Sequence, residues 1–232
     1  MRTFWPLSIL FTAIFVSGCA SHQTIPAPAL SYDLSAQQQA LESEGVRLSA
    51  LPIHESSKLE TYFDADLIEM GILPVQVSLH NKDYPGNVLI HRDGFRLVGP
   101  DHASHTMLTV DQIVEKTKKS YWRTAGWTVA FGVFGLVPSA INVSNTNKKI
   151  RADYESRLLQ EGNLNPGNMT EGFLFFPIPE KIRSLDGWEL SVVLRDPNTP
   201  KDLAFARAFS GAVAERETKT NTPTSPDAAS AN

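Results

Sequence analysis

Two histidines beside an aspartate form the closest approach to a metal-binding motif in this sequence. Asp101, His102 and His105 lie within the five residues DHASH. Imidazole and carboxylate groups are ordinary zinc ligands, but a zinc site uses three or four of them, and no further ligand cluster lies near in the sequence. A polar turn is therefore the favoured interpretation, with His102 and His105 as the candidate metal ligands.

The remaining nucleophiles and glycine-rich stretches lack the context that catalysis requires. Ser144 and Ser210 are not part of a nucleophile elbow, and GNLNPG at 162–167 lacks the Lys-Ser/Thr ending of a phosphate loop. The sequence therefore predicts a non-catalytic protein without a dissociable cofactor. An enzyme with no recognisable motif is an alternative.

Cys19 is the only cysteine of the 232 residues. Arg2 and the apolar stretch 4–16 precede it, which is the order of charge and hydrophobicity in a secretory signal. This stretch is shorter than the roughly 20 residues that span a bilayer. A single cysteine forms no intramolecular disulfide, and a free thiol is a liability in an oxidising compartment.

The residues Val16-Ser17-Gly18-Cys19 resemble the lipobox of bacterial lipoproteins, which reads aliphatic, small, small, cysteine. The resemblance implies that residues 1–18 are a signal peptide removed before Cys19. It also implies a diacylglyceryl thioether on the Cys19 thiol and acylation of the new amino group. An aspartate after the cysteine would favour inner-membrane retention; Ala20 stands there, which implies the periplasmic face of the outer membrane. An ordinary signal with a chance cysteine, or an uncleaved anchor, is the alternative.

Composition narrows the function classes. The chain has 21 Lys and Arg residues against 25 Asp and Glu residues, a net charge of −4. A nucleic-acid-binding domain would show a basic face, so no nucleic-acid partner is expected. Residues 19–34 contain Pro26 and Pro28 and are predicted to be a tether between membrane and domain. Residues 215–232 have no large apolar side chain and are predicted to be a disordered tail.

Two strand-rich regions, 35–108 and 165–214, predict the fold. Strands are expected over 45–53, 72–81, 88–91, 94–99, 171–178, 187–196 and 203–209, with helical turns over 63–71 ending at Gly71. Short strands separated by turn signals predict an immunoglobulin-like antiparallel β-sandwich, mainly β with an α insertion. The predicted core comprises Val75, Val77, Leu79, Phe173, Phe175, Trp188, Leu190 and Val192.

A helical hairpin is predicted to interrupt the sandwich over 109–164. Thr109 and Gln112 have capping-box spacing, which predicts a helix start. A second, charged helix is expected over 144–164, because Ile150, Tyr154 and Leu158 recur at helical spacing.

Between these helices, AGWTVAFGVFGLVPSAI at 125–141 has no charged residue and basic residues on both flanks. A helix that is apolar on every side is buried or in contact with lipid. Three interpretations stay open: a hairpin buried under the sandwich, a hairpin that dips into the leaflet holding the lipid anchor, and a surface for self-association. The candidate membrane contacts are Trp127, Phe131, Val133, Phe134 and Leu136.

These features together predict a membrane-anchored lipoprotein of the bacterial cell envelope. Its predicted role is structural, assembly or binding. Its predicted contacts are the membrane, through Cys19 and segment 125–141, and a second copy or another envelope protein. A periplasmic small-ligand carrier is an alternative, which would need a cavity within the sandwich.

Overall fold

The computed structural model describes residues 24–30, 33, 39–117, 140–180 and 182–213, with only the backbone described over 140–147. The predicted signal peptide, Cys19, most of segment 125–141 and all of the predicted tail lie outside the described residues. So do the candidate membrane contacts Trp127, Phe131, Val133, Phe134 and Leu136.

Strands dominate the described part of the chain. They are β1 Leu41–Ser43, β2 Val46–Pro52, β3 Ile72–Asn81, β4 Val88–Ile90, β5 Phe95–Val98, β6 Ser104–Thr106, β7 Gly162–Leu164, β8 Met169–Pro177, β9 Glu189–Arg195 and β10 Asp202–Ala208. The helices are α1 Ser56–Phe63, α2 with its described turns at 110–117, and α3 Ala140–Arg157.

The strands form two sheets in which every paired strand is antiparallel to its neighbour. Sheet A has the order β1-β2-β3-β8. In sheet B, β9 pairs with β10 along one edge and with β5 and β4 along the other, while β6 pairs with β5 and β7 with β4. A short 3₁₀ turn, Arg92–Gly94, separates β4 from β5. A Cβ on Gly94 would stand 2.3 Å from the Val193 carbonyl oxygen, so this turn requires glycine.

The core between the two sheets consists of the residues that alternation predicts. Sheet A contributes Val75, Val77 and Leu79, and sheet B contributes Leu190 and Val192, all with no exposed surface. Trp188 is 95% buried as well, and Phe173 and Phe175 are at least 95% buried on the opposite face of sheet A. The predicted β-sandwich with a helical insertion and its predicted core are therefore confirmed.

A third layer covers the outer face of sheet A. Phe173 and Phe175 point away from sheet B, and their rings contact Phe63 of α1, with centroids 5.1 and 5.6 Å apart. Tyr154 of α3 stacks on Phe63 at 6.1 Å and meets Phe175 edge-on at 5.5 Å. These four rings, called the aromatic cluster below, attach the helices to the sheet.

Two predicted helical segments differ from the structure. The helix expected over 63–71 lies earlier, at Ser56–Phe63, and ends where Asp64 adopts a left-handed conformation (φ 54°). Leu67 and Ile68 are buried in the turn that follows, so their apolar character reflects core packing and not a helix face.

The second predicted helix, 144–164, starts at Ala140 and stops at Arg157. Its expected last turn is replaced by backbone pairing: Leu158 bridges to Phe173, and Gly162–Leu164 forms β7 against β4. Ile150 and Tyr154 on its apolar stripe are buried as predicted.

Candidate functional site

Both ends of the helical insertion are attached to one edge of β8. The Leu108 N–H donates to the Phe175 carbonyl at 2.7 Å, and the Leu159 N–H donates to the Phe173 carbonyl at 3.0 Å. The other edge of β8 pairs with β3. Because two residues along a strand span about 7 Å, the chain leaves and rejoins the sandwich at nearly the same place.

Gly172 permits the chain to rejoin so closely. A Cβ at this position would lie 2.5 Å from both the N and the Cα of Leu159, a distance that real Cβ atoms do not reach. Any larger residue would push residues 158–159 off the edge of β8. The base of the insertion therefore depends on glycine for close backbone approach.

The two helices are also joined to each other at their base. The predicted capping box is present: the Thr109 N–H donates to Gln112 Oε1 at 2.8 Å, and the Gln112 N–H donates to Thr109 Oγ1 at 3.2 Å. Arg151 of α3 forms an ion pair with Asp111 of α2, which raises the pKa of the Arg151 guanidinium. Ile113, one turn further along α2, is fully buried.

The backbone of α3 begins well before the described side chains that pack on sheet A. Ile150 is the first buried side chain among those described, and ten residues of helix precede it. At 1.5 Å per residue, Ala140 lies about 15 Å along the helix axis from Ile150. Segment 118–139, with most of the apolar run, is therefore joined to the distal end of a helix whose base is fixed on sheet A.

Residues 24–30, called the N-terminal strap below, lie against the outer face of sheet A beside α1 and α3. The Ile25 N–H donates to the Thr61 carbonyl of α1 at 2.9 Å. Gln76 Nε2 of β3 donates to the Pro28 carbonyl at 2.7 Å, and the Leu30 N–H donates to Glu171 Oε2 of β8 at 3.1 Å. Leu30 itself is 98% buried.

The start of the strap is held by α3. Arg157 Nη2 donates to Thr24 Oγ1 at 2.7 Å, and Thr24 Oγ1 in turn lies 3.3 Å from Asp153 Oδ1. Arg157 also pairs with Asp153 at 2.9 Å and stacks its guanidinium 5.7 Å from the Phe63 ring centre. Residues 24–30, which lie within the tether predicted over 19–34, thus pack against the domain.

The candidate metal ligands do not converge. His102 is exposed in a turn with φ 62°, where the Asp101 side chain accepts the Ala103 N–H at 3.0 Å. His105 lies on β6, and its ring centre is 5.8 Å from that of Trp188. Within the described ranges, no group of three or more His, Cys, Asp or Glu side chains is placed to hold a metal ion.

A buried network at one end of sheet B was not predicted. Asp196 is 96% buried and accepts hydrogen bonds from the Asn198 N–H, the Tyr84 hydroxyl and Thr199 Oγ1, all at 2.8–2.9 Å. The Asn198 amide, then the Tyr84 hydroxyl, lower the pKa of Asp196, and Asp196 raises the pKa of Tyr84. The turn residues after β9 signal an Asx turn, but no local pattern indicates Tyr84, which lies 112 residues away.

Among the helices in the described part of the chain, none combines the length and apolar character needed to cross a bilayer.

Comparison with known proteins gives distant similarities of fold. No family model and no curated protein matches the sequence. A candidate lipoprotein (ycdA) of Bacillus subtilis is 14% identical, with a TM-score of 0.38; the match covers 73% of this chain and 38% of that one.

The yjhA protein of Bacillus subtilis is 12% identical, with a TM-score of 0.40, and the match covers 72% of this chain and 93% of that one. The secreted protein MPT63 of Mycobacterium tuberculosis is 10% identical, with a TM-score of 0.34, covering 82% and 99%. At these scores the similarities transfer no function to this chain.

Proposed function

We propose that this protein is a lipid-anchored, non-catalytic component of the bacterial cell envelope. In this proposal the sandwich is a rigid base that presents the helical insertion to the membrane or to an envelope partner. The proposal depends on one observation: the residues Val16-Ser17-Gly18-Cys19, which resemble a lipobox, come at the end of the apolar stretch 4–16, and Arg2 precedes that stretch. Ala20 after the cysteine favours the periplasmic face of the outer membrane.

The polar groups in the described residues support a non-catalytic role. The most buried carboxylate network, around Asp196, is saturated by the Asn198, Tyr84 and Thr199 donors and braces two turns. His102 is exposed in a turn, whereas the His105 ring on β6 lies next to the ring of Trp188. A general base or a nucleophile instead needs a partner within hydrogen-bond reach and access to substrate.

Lipidation is tested by metabolic labelling with an alkyne analogue of palmitate. The wild type should be labelled and should sediment with membranes, while Cys19→Ser should lose the label, because the thiol carries the first lipid. Ser17→Ala is the matched control, since it keeps a small residue before the cysteine and should still be labelled. A labelled, membrane-bound Cys19→Ser protein would contradict the proposal.

The proposal also assigns membrane contact to segment 125–141. Its charge-free sequence has basic flanks suited to anionic headgroups, and it leads into α3, whose backbone begins ten residues before Ile150, the first buried side chain described in that helix. The test uses acyl-free chain starting at Ala20 and vesicles containing anionic lipid. Wild-type protein should co-sediment with vesicles and its Trp127 emission should shift to the blue.

Val133→Asp should abolish this binding with the sandwich still folded. Val193→Asp is the matched control: it introduces the same charge on an exposed position of β9 and should bind vesicles like the wild type. If the acyl-free protein ignores vesicles and Val133→Asp unfolds it, the segment belongs to the core. If it ignores vesicles but Val133→Asp disrupts an oligomer, the segment is a self-association surface.

A further inference from the structure

We infer that the docked N-terminal strap determines which face of the protein lies close to the membrane. Because the strap packs on the helical face of sheet A, the lipid on Cys19 holds that face near the bilayer. This inference rests on the proposed lipidation of Cys19. The membrane-facing surface is then the side formed by α1, α3 and the strap, and its partner is the lipid surface itself.

Contacts to several elements of the domain hold the strap in place. Its contacts reach four separate elements: α1 through Thr61, β3 through Gln76, β8 through Glu171, and α3 through Arg157. Pro26 and Pro28 restrict the backbone dihedrals of the free chain, so less conformational freedom is lost when the strap docks. Leu30 closes the strap with a buried apolar side chain.

The strap shortens the reach of the anchor. Four residues lie between Cys19 and Thr24, and the five residue steps from one to the other span at most about 18 Å when fully extended. A free tether running to residue 34 would span up to about 54 Å. With the strap docked, Thr24 therefore stays within a third of that distance from the lipidated residue.

The position of Thr24 determines which face is held. It lies against Asp153 and Arg157 near the end of α3, and the next residue bonds to the end of α1. Ile25, at the same point, is 63% exposed, the most exposed large apolar side chain in the described part of the chain. The start of the strap, an open apolar side chain and the base of the insertion thus share one side of the described part of the molecule.

Two insertions of identical composition test the inference on lipidated Val133→Asp protein in vesicles, in which the proposed membrane contact of segment 125–141 is removed. About ten Gly and Ser residues extend a free chain by up to ~35 Å. The first insertion is placed between Gln23 and Thr24, and the second between Ser35 and Ala36. Energy transfer is measured from a dye on Ser57→Cys, exposed on α1, to an acceptor in the bilayer; the lipidated Cys19 thiol does not react with the dye.

With a docked strap, only the first insertion lies between the lipid and the attachment point. It should lower the energy transfer, and the second insertion should leave it unchanged. If both insertions lower the energy transfer equally, the strap does not set the distance and the inference is overturned. If neither lowers it, a contact other than the anchor holds the domain and the inference is likewise overturned.

Hydrogen exchange on the acyl-free chain starting at Ala20 separates this inference from the proposed function. The Ile25 and Leu30 amides should exchange at least tenfold more slowly than in an unstructured peptide, and Leu30→Ala should remove that protection. Unprotected amides in the wild type overturn the docked strap whether or not Cys19 is lipidated. Protected amides with no labelling at Cys19 instead overturn the lipid anchor, and with it the membrane-facing role, while the strap remains docked.

Discussion

β3 and β9 are the central strands of their sheets, and they differ in what lies on their outer faces. β9 alternates between buried residues such as Leu190 and outward residues such as Val193, which is 40% exposed. β3 alternates in residue type in the same way, yet its outward Gln76 and Ser78 are 94% and 93% buried. The period of two identifies the face that meets the other sheet, but it does not reveal whether the opposite face is covered.

The buried polar residues of β3 are compatible with burial because the segment that covers them offers hydrogen-bond partners. A buried polar side chain needs a hydrogen-bond partner, and Gln76 finds one in the backbone of the strap, at the Pro28 carbonyl. Ser191, which also points outward on β9, remains partly exposed. Polar residues on a central strand are thus compatible either with solvent or with a covering segment that offers backbone groups.

The largest expected difference between the two outer faces is in the aromatic cluster. Phe175→Ala should lower the free energy of unfolding by about 3–5 kcal/mol, because it leaves a cavity against Phe63 and Tyr154. Val193→Ala, on the outer face of β9, should change it by less than about 0.5 kcal/mol. Urea unfolding followed by circular dichroism measures both, and equal losses would contradict the difference between the faces.

The strap contact should give an intermediate effect. Gln76→Ala should cost about 1–2 kcal/mol, because it removes the donor of a partly buried hydrogen bond to the Pro28 carbonyl. Ser191→Ala is the matched outward substitution on β9 and should be within about 0.5 kcal/mol of the wild type. A neutral Gln76→Ala would mean that the strap contributes nothing to the stability of sheet A.

The smallest effect is a pH dependence at the end of β9. Because the folded-state pKa of Asp196 is lowered, chiefly by the Asn198 amide, its stabilisation is complete above the unfolded value of about 3.9 and is lost as the pH falls through the lower folded value. The difference in unfolding free energy between wild type and Asp196→Asn should therefore shrink below about pH 4.

Tyr84→Phe tests the same carboxylate with one donor removed. It should weaken the acid-side dependence without abolishing it, since the Asn198 amide and the Thr199 hydroxyl remain. Parallel stability curves for the wild type and Asp196→Asn from pH 2 to pH 7 would show that this carboxylate keeps its ordinary pKa.

Local patterns predicted the long strands well. The strand predicted over 72–81 coincides with β3, and the predicted 187–196 contains β9, because each alternates over at least seven residues. β1, β6 and β7 were not predicted: each has three residues without alternation and forms by pairing with the edge of another strand, a contact that no local signal in its own residues indicates. The capping box was found because its two partners are three residues apart.

The difference between local and long-range signals also explains how much of the candidate site could be predicted. The resemblance to a lipobox at Val16-Ser17-Gly18-Cys19 is local, because it depends on four adjacent residues. The strap depends on contacts between residues 48 and 141 positions apart in the chain, from Pro28 to Gln76 and from Leu30 to Glu171. Two prolines near the N-terminus are equally typical of a free tether, so no local feature of residues 24–30 predicts that they pack.

Leu108 and Leu159 bond to carbonyls of β8 that are two residues apart. The chain between them therefore leaves the sheet and returns to the same strand edge. Changing the number of residues in 118–139 leaves every strand pair in register, because neither fixed end has to move. The entropy of loop closure rises slowly, by about 0.6 kcal/mol for each doubling of length. Insertions and deletions between these two attachment points can therefore accumulate during evolution at little thermodynamic cost to the sandwich, so the length of the insertion can vary between descendants that keep the same sheets.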